Sequence, residues 1–162
     1  KRQGSTDSTG TLMDDWMESN SGSDVAISVL HQDAIGLSAG RMAALNHAQG
    51  EWVAITDIDV RPEQDWIEQL LLANVPVGEE TIVAVTGRTI FQTHADLVSR
   101  FRAVEIASKY RSRPRRTSLA NGPCSMFKRQ ALFDVGGFDP KWYHAEDMEV
   151  SLRLLNAGGS IV

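Results

Sequence analysis

The chain has 162 residues, of which 42% are hydrophobic and 23% charged, a composition typical of a globular domain rather than of a disordered or fibrous protein. Its single cysteine excludes an internal disulfide framework and a zinc site built from several cysteines. The formal net charge of −5 argues against nucleic acid as a partner, because a phosphate-binding surface would need an excess of positive charge.

The hydrophobic pattern switches repeatedly between the helical and the strand period, which predicts an α/β sandwich of helices and sheet. In the first third of the chain, Asp7 can cap a helix, and a short strand is expected over residues 25–29. A second helix is capped by Ser38 and ends near Gly50. The run over residues 52–56 is continuously apolar, which is typical of a strand buried on both faces of a parallel sheet.

The same alternation continues to the end of the chain. Pro62 stands where a helix would start, and Trp66 is spaced to face the sheet, while Trp16 and Trp52 also stand at core spacings. In chain order, the pattern then predicts a strand over 82–85, a long helix around Phe101, a strand over 124–127, a short helix over 128–135, a last helix around Leu152 and the start of an unpaired strand at 160–162.

A basic run follows the long helix, with five positive charges within residues 109–116. Because Pro114 interrupts the run, we expect an exposed loop rather than a packed element. A solvated loop is the usual interpretation of such a run, and contact with an anionic acceptor or a membrane surface is the alternative. The side chains concerned are Lys109, Arg111, Arg113, Arg115 and Arg116.

The sharpest local feature is an aspartate pair, Asp57 and Asp59, directly after the apolar run that ends at residue 56. In an extended backbone, residues two apart project to one side, so both carboxylates could face one point at the carboxyl end of a strand, where open α/β sheets bind ligands. Two hard oxygen ligands suit Mg²⁺ or Mn²⁺. The alternative is an acidic turn in which Asp59 caps the next helix.

A second acidic pair, Glu146 and Asp147, opens the last predicted helix. Acids in a first turn also gain from the helix dipole, so a structural role is the alternative here. The preceding loop favours function, because Trp142 and Tyr143 could stack on a sugar ring while a nearby carboxylate accepts a hydroxyl proton. His144 lies beside the acidic pair and is either a substrate contact or a solvent-facing loop residue.

Four segments together carry a pattern more specific than any single motif. They are residues 4–9, residues 36–41 with 48–51, residues 56–62, and residues 121–139 followed by the pairs 146–147 and 153–154. In this order and spacing they resemble glycosyltransferase family 2, the inverting enzymes with the GT-A fold. The resemblance implies a Rossmann-like, mostly parallel sheet flanked by helices.

The resemblance also implies a reaction: metal-dependent, inverting transfer of a sugar from a nucleotide diphosphate donor to an acceptor hydroxyl. Asp57 and Asp59 would hold Mg²⁺ or Mn²⁺ on the diphosphate, with Asp59 favoured as the direct ligand and Asp57 nearer the ribose or the metal's waters. Asp147 would be the general base, and Glu146 would orient the sugar. Donor contacts would come from Asp7, Arg41 and Asp57, and acceptor contacts from Trp142, Tyr143, His144 and Glu146.

Judged against that family, the chain is expected to be a fragment that lacks the first strand and the carboxyl-terminal part. Residues 1–60 would form the nucleotide-sugar-binding part and residues 61–162 the acceptor-side part. Arg2 and Gln3 stand where the family often has two aspartates, and Met42 stands where it has asparagine. These departures keep open a non-catalytic nucleotide-sugar or glycan-binding relative, and a sugar-phosphate nucleotidyltransferase is the other alternative.

The resemblance places the chain in polysaccharide or glycan biosynthesis, with a sugar, a lipid-linked compound or another hydroxyl compound as acceptor. One free cysteine and the absence of a secretion signal in this sequence favour a cytoplasmic protein. If the basic run contacts a membrane, the protein would lie at its cytoplasmic face.

Overall fold

The computed structural model describes residues 7–33, 35–91, 96–111 and 113–162, in which helices and strands alternate as predicted. The α/β class is therefore confirmed. The helices are α1 (Thr9–Ser19), α2 (Leu37–His47), α3 (Trp66–Ala73), α4 (Leu97–Arg111), α5 (Arg129–Asp134) and α6 (Glu146–Asn156). The strands are β1 (Trp52–Ile55), β2 (Ile82–Thr86), β3 (Ser125–Lys128) and β4 (Ser160–Ile161). Among the described helices, none combines the length and the apolarity needed to span a membrane.

The chain divides into two compact units. The first unit consists of the residues up to Ala48 together with Phe138–Glu146, and it contains α1 and α2. The second unit, Gln49–Gly137 with Asp147–Val162, contains β1 to β4, α3, α4, α5 and, from Asp147 onwards, α6. This division is by packing, whereas the predicted division at residue 60 is by binding role and stays a prediction.

The second unit is built on a four-stranded sheet in the order β1-β3-β2-β4. Strand β3 pairs antiparallel with both β1 and β2, and β4 pairs parallel with β2. Strands β1, β2 and β4 therefore run in one direction, in agreement with the predicted mostly parallel sheet, and among the described strands β3 runs against them. The prediction that β1 is buried on both faces is wrong: Ala54 is exposed and the other three residues of the strand are half-buried, because β1 lies at the edge of the described sheet. An apolar run also carries no information about the direction of the neighbouring strands.

The last residues of the chain are paired, contrary to the expectation of an unpaired strand. Ser160 lies opposite Ile82 in the ladder between β4 and β2, and the Thr86 N–H donates to the Val162 carbonyl at 2.7 Å. Ile161 and Val162 are buried. The sequence showed the strand, but its partner comes from a distant part of the chain.

The core of the second unit packs on this sheet. Trp52 and Trp66, both partly buried, pack against it as predicted, and the apolar surface that they cover stabilises the unit. The cluster of buried residues that these tryptophans contact consists of Leu70, Ile82, Val85, Met126 and Val162.

In the first unit, two predictions are wrong. Residues 25–29 form no strand, and Val25 is exposed, because no described strand lies alongside to complete a ladder. Helix α1 forms as predicted, but its apolar side chains do not face a core: Leu12, Met13 and Trp16 are all exposed.

The predicted helix starts also shift. The helix expected to open at Pro62 begins at Trp66, with Asp65 at its N-cap position. Ser38 is not the cap of α2, because Gly36 stands at that position with φ 107°. Ser38 lies in the first turn, fully buried, and its hydroxyl donates to the Trp142 carbonyl at 2.5 Å.

Candidate functional site

Three loops begin or end at one edge of the sheet. In the ladder, Ser125 lies opposite Ile55 on one side and opposite Thr86 on the other. The carboxyl ends of β1 and β2 and the amino end of β3 therefore lie side by side, about 4.8 Å apart from strand to strand. The acidic loop after β1, the loop after β2 and the loop before β3 share this edge, which is where we locate the candidate site.

The loop after β1 is a tight turn. The Val60 N–H donates to the Asp57 carbonyl at 3.0 Å, so the extended backbone assumed for the aspartate pair is not present, and the argument that both carboxylates project to one side fails. Asp57 is half-buried, whereas Asp59 is exposed beside Ile58, which is 95% exposed. Asp65 occupies the N-cap position of α3, which excludes Asp59 as the cap of that helix.

These two aspartates can serve as metal ligands only together with other donors. Among the described residues, no group of three or more His, Cys, Asp and Glu side chains could hold a metal ion. Mg²⁺ and Mn²⁺ commonly take one or two carboxylates and complete their shell with water and substrate phosphates. Asp57 and Asp59 fit that donor set.

A polar network joins the loop after β2 to the loop before β3. The Thr86 hydroxyl oxygen accepts from the Asn121 N–H at 2.9 Å and from the Ser125 hydroxyl at 3.1 Å. The Asn121 side-chain amide donates to the Thr89 hydroxyl at 2.7 Å and to the Tyr110 hydroxyl at 3.1 Å. Asn121 thus connects the end of β2, the loop after it and helix α4, a role that sequence reasoning missed.

Asp147 is held by the same loop. Its Oδ2 accepts from the Gly122 N–H at 3.1 Å, and its Oδ1 accepts from the Met148 N–H at 2.8 Å. The Ser151 hydroxyl donates to the Asp147 carbonyl at 2.5 Å and accepts from the Ala120 N–H at 3.0 Å. The half-buried Asp147 carboxylate is therefore fixed in orientation on the loop that enters β3.

In the first unit, Arg41 and Glu146 form a buried ion pair through Arg41 Nη1 and Glu146 Oε1. Their side chains are only 9% and 7% exposed, and the guanidinium lies over the Phe138 ring, 5.9 Å from its centroid. Arg41, predicted to contact the donor, and Glu146, predicted to orient the sugar, are thus bound to each other. Sequence reasoning missed this pair, because its members are 105 residues apart.

The aromatic loop before α6 presents its rings to solvent. Trp142 and Tyr143 are exposed, as a surface that stacks on a sugar requires. The loop backbone is fixed, since the Trp142 N–H donates to the Asp139 carbonyl at 3.0 Å. His144 packs edge-on against Tyr143 with 4.6 Å between ring centroids. The acceptor contacts expected of these residues stay a prediction.

Contrary to the prediction, Asp7 is not the cap of α1, because Ser8 stands at the N-cap position and Asp7 lies one residue before it. Its Oδ1 accepts from the Thr9 N–H at 3.0 Å, and hydrogen bonds from the side chain and backbone of Thr9 hold the pKa of the Asp7 carboxyl below its usual value. Its contact with a donor stays a prediction. Residues 4–6 of the predicted segment 4–9 lie outside the described residues, as do Arg2 and Gln3.

The basic run is not a free loop. Helix α4 continues to Arg111, and Arg113 donates to the Thr117 hydroxyl at 2.8 Å and to the Leu119 carbonyl at 3.0 Å. The Arg113 guanidinium also lies over the Tyr110 ring, 5.5 Å from its centroid. The expectation of an exposed loop is therefore wrong for residues 109–111, which continue the helix, and Arg113 binds the protein's own backbone.

Two further arginines of the run pair with Glu80. Arg115 Nη1 and Arg116 Nε lie 2.6 Å from the two Glu80 oxygens, and the Glu80 side chain is 7% exposed. The Val77 N–H and the two guanidinium groups lower the pKa of Glu80 to about 2. A membrane contact through these arginines would have to compete with this network.

The chain is similar to known glycosyltransferases. The family model for Glycosyl transferase family 2 matches residues 3–136. Two curated relatives, both pre-mycofactocin glycosyltransferases of Mycobacterium tuberculosis (strains CDC 1551 and H37Rv), are 29% identical to this chain over 143 residues. The match covers 83% of this chain and 30% of each relative, so the chain spans less than a third of their length.

A solved structure shares the fold. It is the mannosyltransferase PcManGT from Pyrobaculum calidifontis in complex with GDP-Man and Mn²⁺, with a TM-score of 0.68 and 24% sequence identity. The superposition covers 98% of this chain and 42% of that chain. The likeness confirms the GT-A fold, with a sheet flanked by helices.

Proposed function

The chain belongs to glycosyl transferase family 2, and on that premise we propose that it carries out metal-dependent, inverting transfer of a sugar from a nucleotide diphosphate donor to an acceptor hydroxyl. The observation that carries the proposal is the hydrogen bond from Gly122 to Asp147. It ties an oriented carboxylate to the loop that enters β3, at the sheet edge where β1 ends two residues before Asp57. A base and a cation-binding pair at one edge are what this reaction needs.

The donor side of the proposal rests on Asp57 and Asp59. The similar mannosyltransferase was solved with GDP-Man and Mn²⁺, which supports a nucleotide-sugar donor and a divalent cation for this chain. Asp59, exposed at the tip of the turn, would be the direct ligand, and Asp57 would contact the ribose or the metal's waters. When bound, Mg²⁺ or Mn²⁺ neutralises charge on the diphosphate leaving group.

The acceptor side of the proposal rests on Asp147. Its carboxylate accepts the proton of the acceptor hydroxyl while the hydroxyl oxygen bonds to the anomeric carbon. The bond from that carbon to the diphosphate oxygen breaks on the opposite face, so the configuration inverts. The N–H groups of Gly122 and Met148 hold the carboxylate in one orientation, which such a proton transfer requires.

Arg41 and Glu146 contribute to the proposal through the pair between them. Neutralised by Arg41 and buried, Glu146 fixes the loop that presents Trp142 and Tyr143 for an acceptor sugar. The Arg41 guanidinium over Phe138 adds a second anchor for that loop. Sugar and donor contacts by these two residues would be made from this fixed arrangement.

The test is sugar transfer by the full-length protein with Asp147→Asn beside it. Because general base catalysis contributes about 10²- to 10⁴-fold, we expect a loss of that size in turnover with nucleotide affinity unchanged. Asp134→Asn, which removes an exposed acid on α5, is the matched control. Unchanged turnover in Asp147→Asn would overturn the assignment of the base.

The same assay separates the alternatives. Nucleotide-sugar binding without any turnover by the unaltered protein would favour a non-catalytic nucleotide-sugar or glycan-binding relative. Formation of a nucleotide sugar from a sugar phosphate, with release of pyrophosphate, would instead indicate a nucleotidyltransferase.

We extend the proposal to the acceptor and the location. The acceptor is a sugar, a lipid-linked compound or another hydroxyl compound, and the protein acts in the cytoplasm, where the basic run can contact the inner membrane surface. Cell fractionation tests the location. Flotation with anionic but not neutral vesicles, reduced by Arg111→Gln, tests the membrane contact.

A further inference from the structure

A cavity of about 330 Å³ lies in the second unit between the loop after β2 and helix α4. Three arginines line it, Arg88 on the loop and Arg100 and Arg111 on the helix, and Phe91 and Val104 are among its apolar lining. Among the described residues that line it, none is acidic. Its volume is that of a small ligand site.

The charge in this cavity points to an anion. Guanidinium groups match the oxygens of a phosphate or a carboxylate, and three of them in one lining form a local positive site in a chain whose formal net charge is −5. Arg102, on the same helix, differs in kind: it does not line the cavity and pairs with Glu105 at 2.7 Å.

The apolar surroundings of the cavity indicate that this anion carries an apolar part. Ile90 and Val104 line the cavity and yet are exposed, and Phe101 on the same helix is 73% exposed. Exposed apolar side chains beside a charged rim are typical of a binding groove rather than of ordinary surface. An ion such as free phosphate would leave these side chains without a function.

The cavity is connected to the proposed base through two consecutive residues. Thr89, in the cavity lining, accepts from the Asn121 amide, which also donates to Tyr110, the neighbour of Arg111. Gly122 donates to Asp147. With hydrogen bonds of about 3 Å and one residue step between them, the cavity wall and the Asp147 carboxylate are on the order of 10 Å apart.

We propose that this cavity binds the acceptor substrate of the transfer, and that the acceptor is an amphiphilic anion: a hydroxyl compound with a phosphate or carboxylate group beside an apolar part. This inference rests on the proposed function and specifies the acceptor class. The anionic group lies among Arg88, Arg100 and Arg111, the apolar part packs on Phe91 and Val104, and the hydroxyl extends towards Asp147.

The experiment measures binding of decyl phosphate and of decanoate to the full-length protein by isothermal titration calorimetry, below their critical micelle concentrations. Decyl maltoside is the uncharged probe. We expect the two anions to bind, the maltoside to bind at least tenfold more weakly, and Arg88→Gln or Arg100→Gln to weaken anion binding about tenfold. Arg102→Gln is the matched control and should leave binding unchanged. Tighter binding of the phosphate or of the carboxylate identifies the head group, and either order supports the proposal.

A second variant tests the cavity independently of its charge. Ala107→Phe would fill the cavity and should abolish binding of both anions, with thermal unfolding recorded to confirm that the variant folds. Equal binding of anions and maltoside, or anion binding unchanged in both arginine variants, would overturn the proposal.

The outcomes separate this inference from the proposed function. Arginine-dependent binding of decyl phosphate by a protein that transfers no sugar would contradict the proposed function and leave the anion site standing. Sugar transfer whose acceptor KM is unchanged in Arg88→Gln and Arg100→Gln would keep the proposed function and overturn the assignment of the cavity.

Discussion

The two acidic segments of the chain hold their carboxylates in opposite ways. In the loop after β1, Asp59 is exposed at the tip of a turn that a backbone hydrogen bond closes. At the start of α6, Glu146 is buried against Arg41 and Asp147 is fixed by two N–H donors. A carboxylate that faces water suits a cation that arrives with a substrate, whereas a carboxylate of fixed orientation suits transfer of a proton.

Glu146 and Asp147, neighbours in sequence, differ in the kind of partner that holds each carboxylate. Glu146 has a full opposite charge as its partner, whereas the Asp147 carboxylate accepts from two backbone N–H groups. Removing the partner of Glu146 leaves a buried charge, so the cost falls on folding. Replacing Asp147 by asparagine removes the charge but keeps a side-chain oxygen that can accept from an N–H group, so the cost falls mainly on the reaction.

The largest expected effect on stability comes from breaking the buried pair. Arg41→Met leaves Glu146 charged and buried, and we expect the free energy of unfolding to fall by about 3–5 kcal/mol in urea denaturation. Arg102→Met, which removes one member of an exposed pair, should cost less than about 1 kcal/mol. The double variant Arg41→Met with Glu146→Leu should recover most of the loss; if it does not, the pair is not the cause.

Substitution of the exposed Asp59 should affect nucleotide binding rather than stability. Asp59→Ala should weaken Mn²⁺-dependent binding of the nucleoside diphosphate that the unaltered protein binds best at least tenfold, a change of about 1.4 kcal/mol, and leave the melting temperature unchanged. Asp134→Ala is the control. Nucleoside diphosphate affinity that is the same with and without Mn²⁺ in the unaltered protein would remove the metal from the proposal, whatever the variant does.

Local patterns in the sequence were sufficient to find the elements and the acidic residues. Strand β1 is visible as an apolar run, and the pair at 146–147 stands out because an aromatic loop precedes it. The same patterns could not give the direction of β3, because pairing antiparallel to β1 or parallel to it would need the same apolar residues.

The partners of the acidic residues were beyond the reach of the sequence. Gly122 and Asp147 are 25 residues apart, and the donor is a backbone N–H group. Every residue except proline has such a group, so the sequence does not mark Gly122 as a donor. The Arg41 and Glu146 pair joins two distant segments, each of which resembles a family motif with a separate role. Periodicity reports what one element buries, whereas these contacts depend on how elements meet.

A smaller effect on stability and turnover is expected from the contacts that hold the Asp147 backbone carbonyl. Ser151→Ala removes the hydroxyl that links the Ala120 N–H to the Asp147 carbonyl, which leaves a buried N–H without its acceptor. We expect a loss of about 1–3 kcal/mol in unfolding free energy and a fall in kcat larger than any change in KM. A loss of stability with kcat unchanged would mean that the contact serves folding alone. Ser108→Ala on α4, an exposed serine whose hydroxyl also donates to a helix carbonyl, is the control for the substitution itself.

The smallest effect concerns Glu80, a third carboxylate, which combines both kinds of partner: the Val77 N–H and two guanidinium groups. Its pKa in the folded protein is lowered to about 2 from an ordinary value of 4.5. Its contribution to stability is therefore present above about pH 4.5 and is lost as the pH falls from there towards 2.

Glu80→Gln should accordingly lower the melting temperature at pH 7 and have a smaller effect at pH 3, where protonation in the unfolded state already removes part of the contribution. Glu79→Gln changes an exposed neighbour and should alter neither value. If the two variants lower the melting temperature equally at pH 7, the ion pairs of Glu80 with Arg115 and Arg116 contribute no more to stability than hydration of the separate charges would. The basic run would then be available for the membrane contact, because its ion pairs would cost little to exchange.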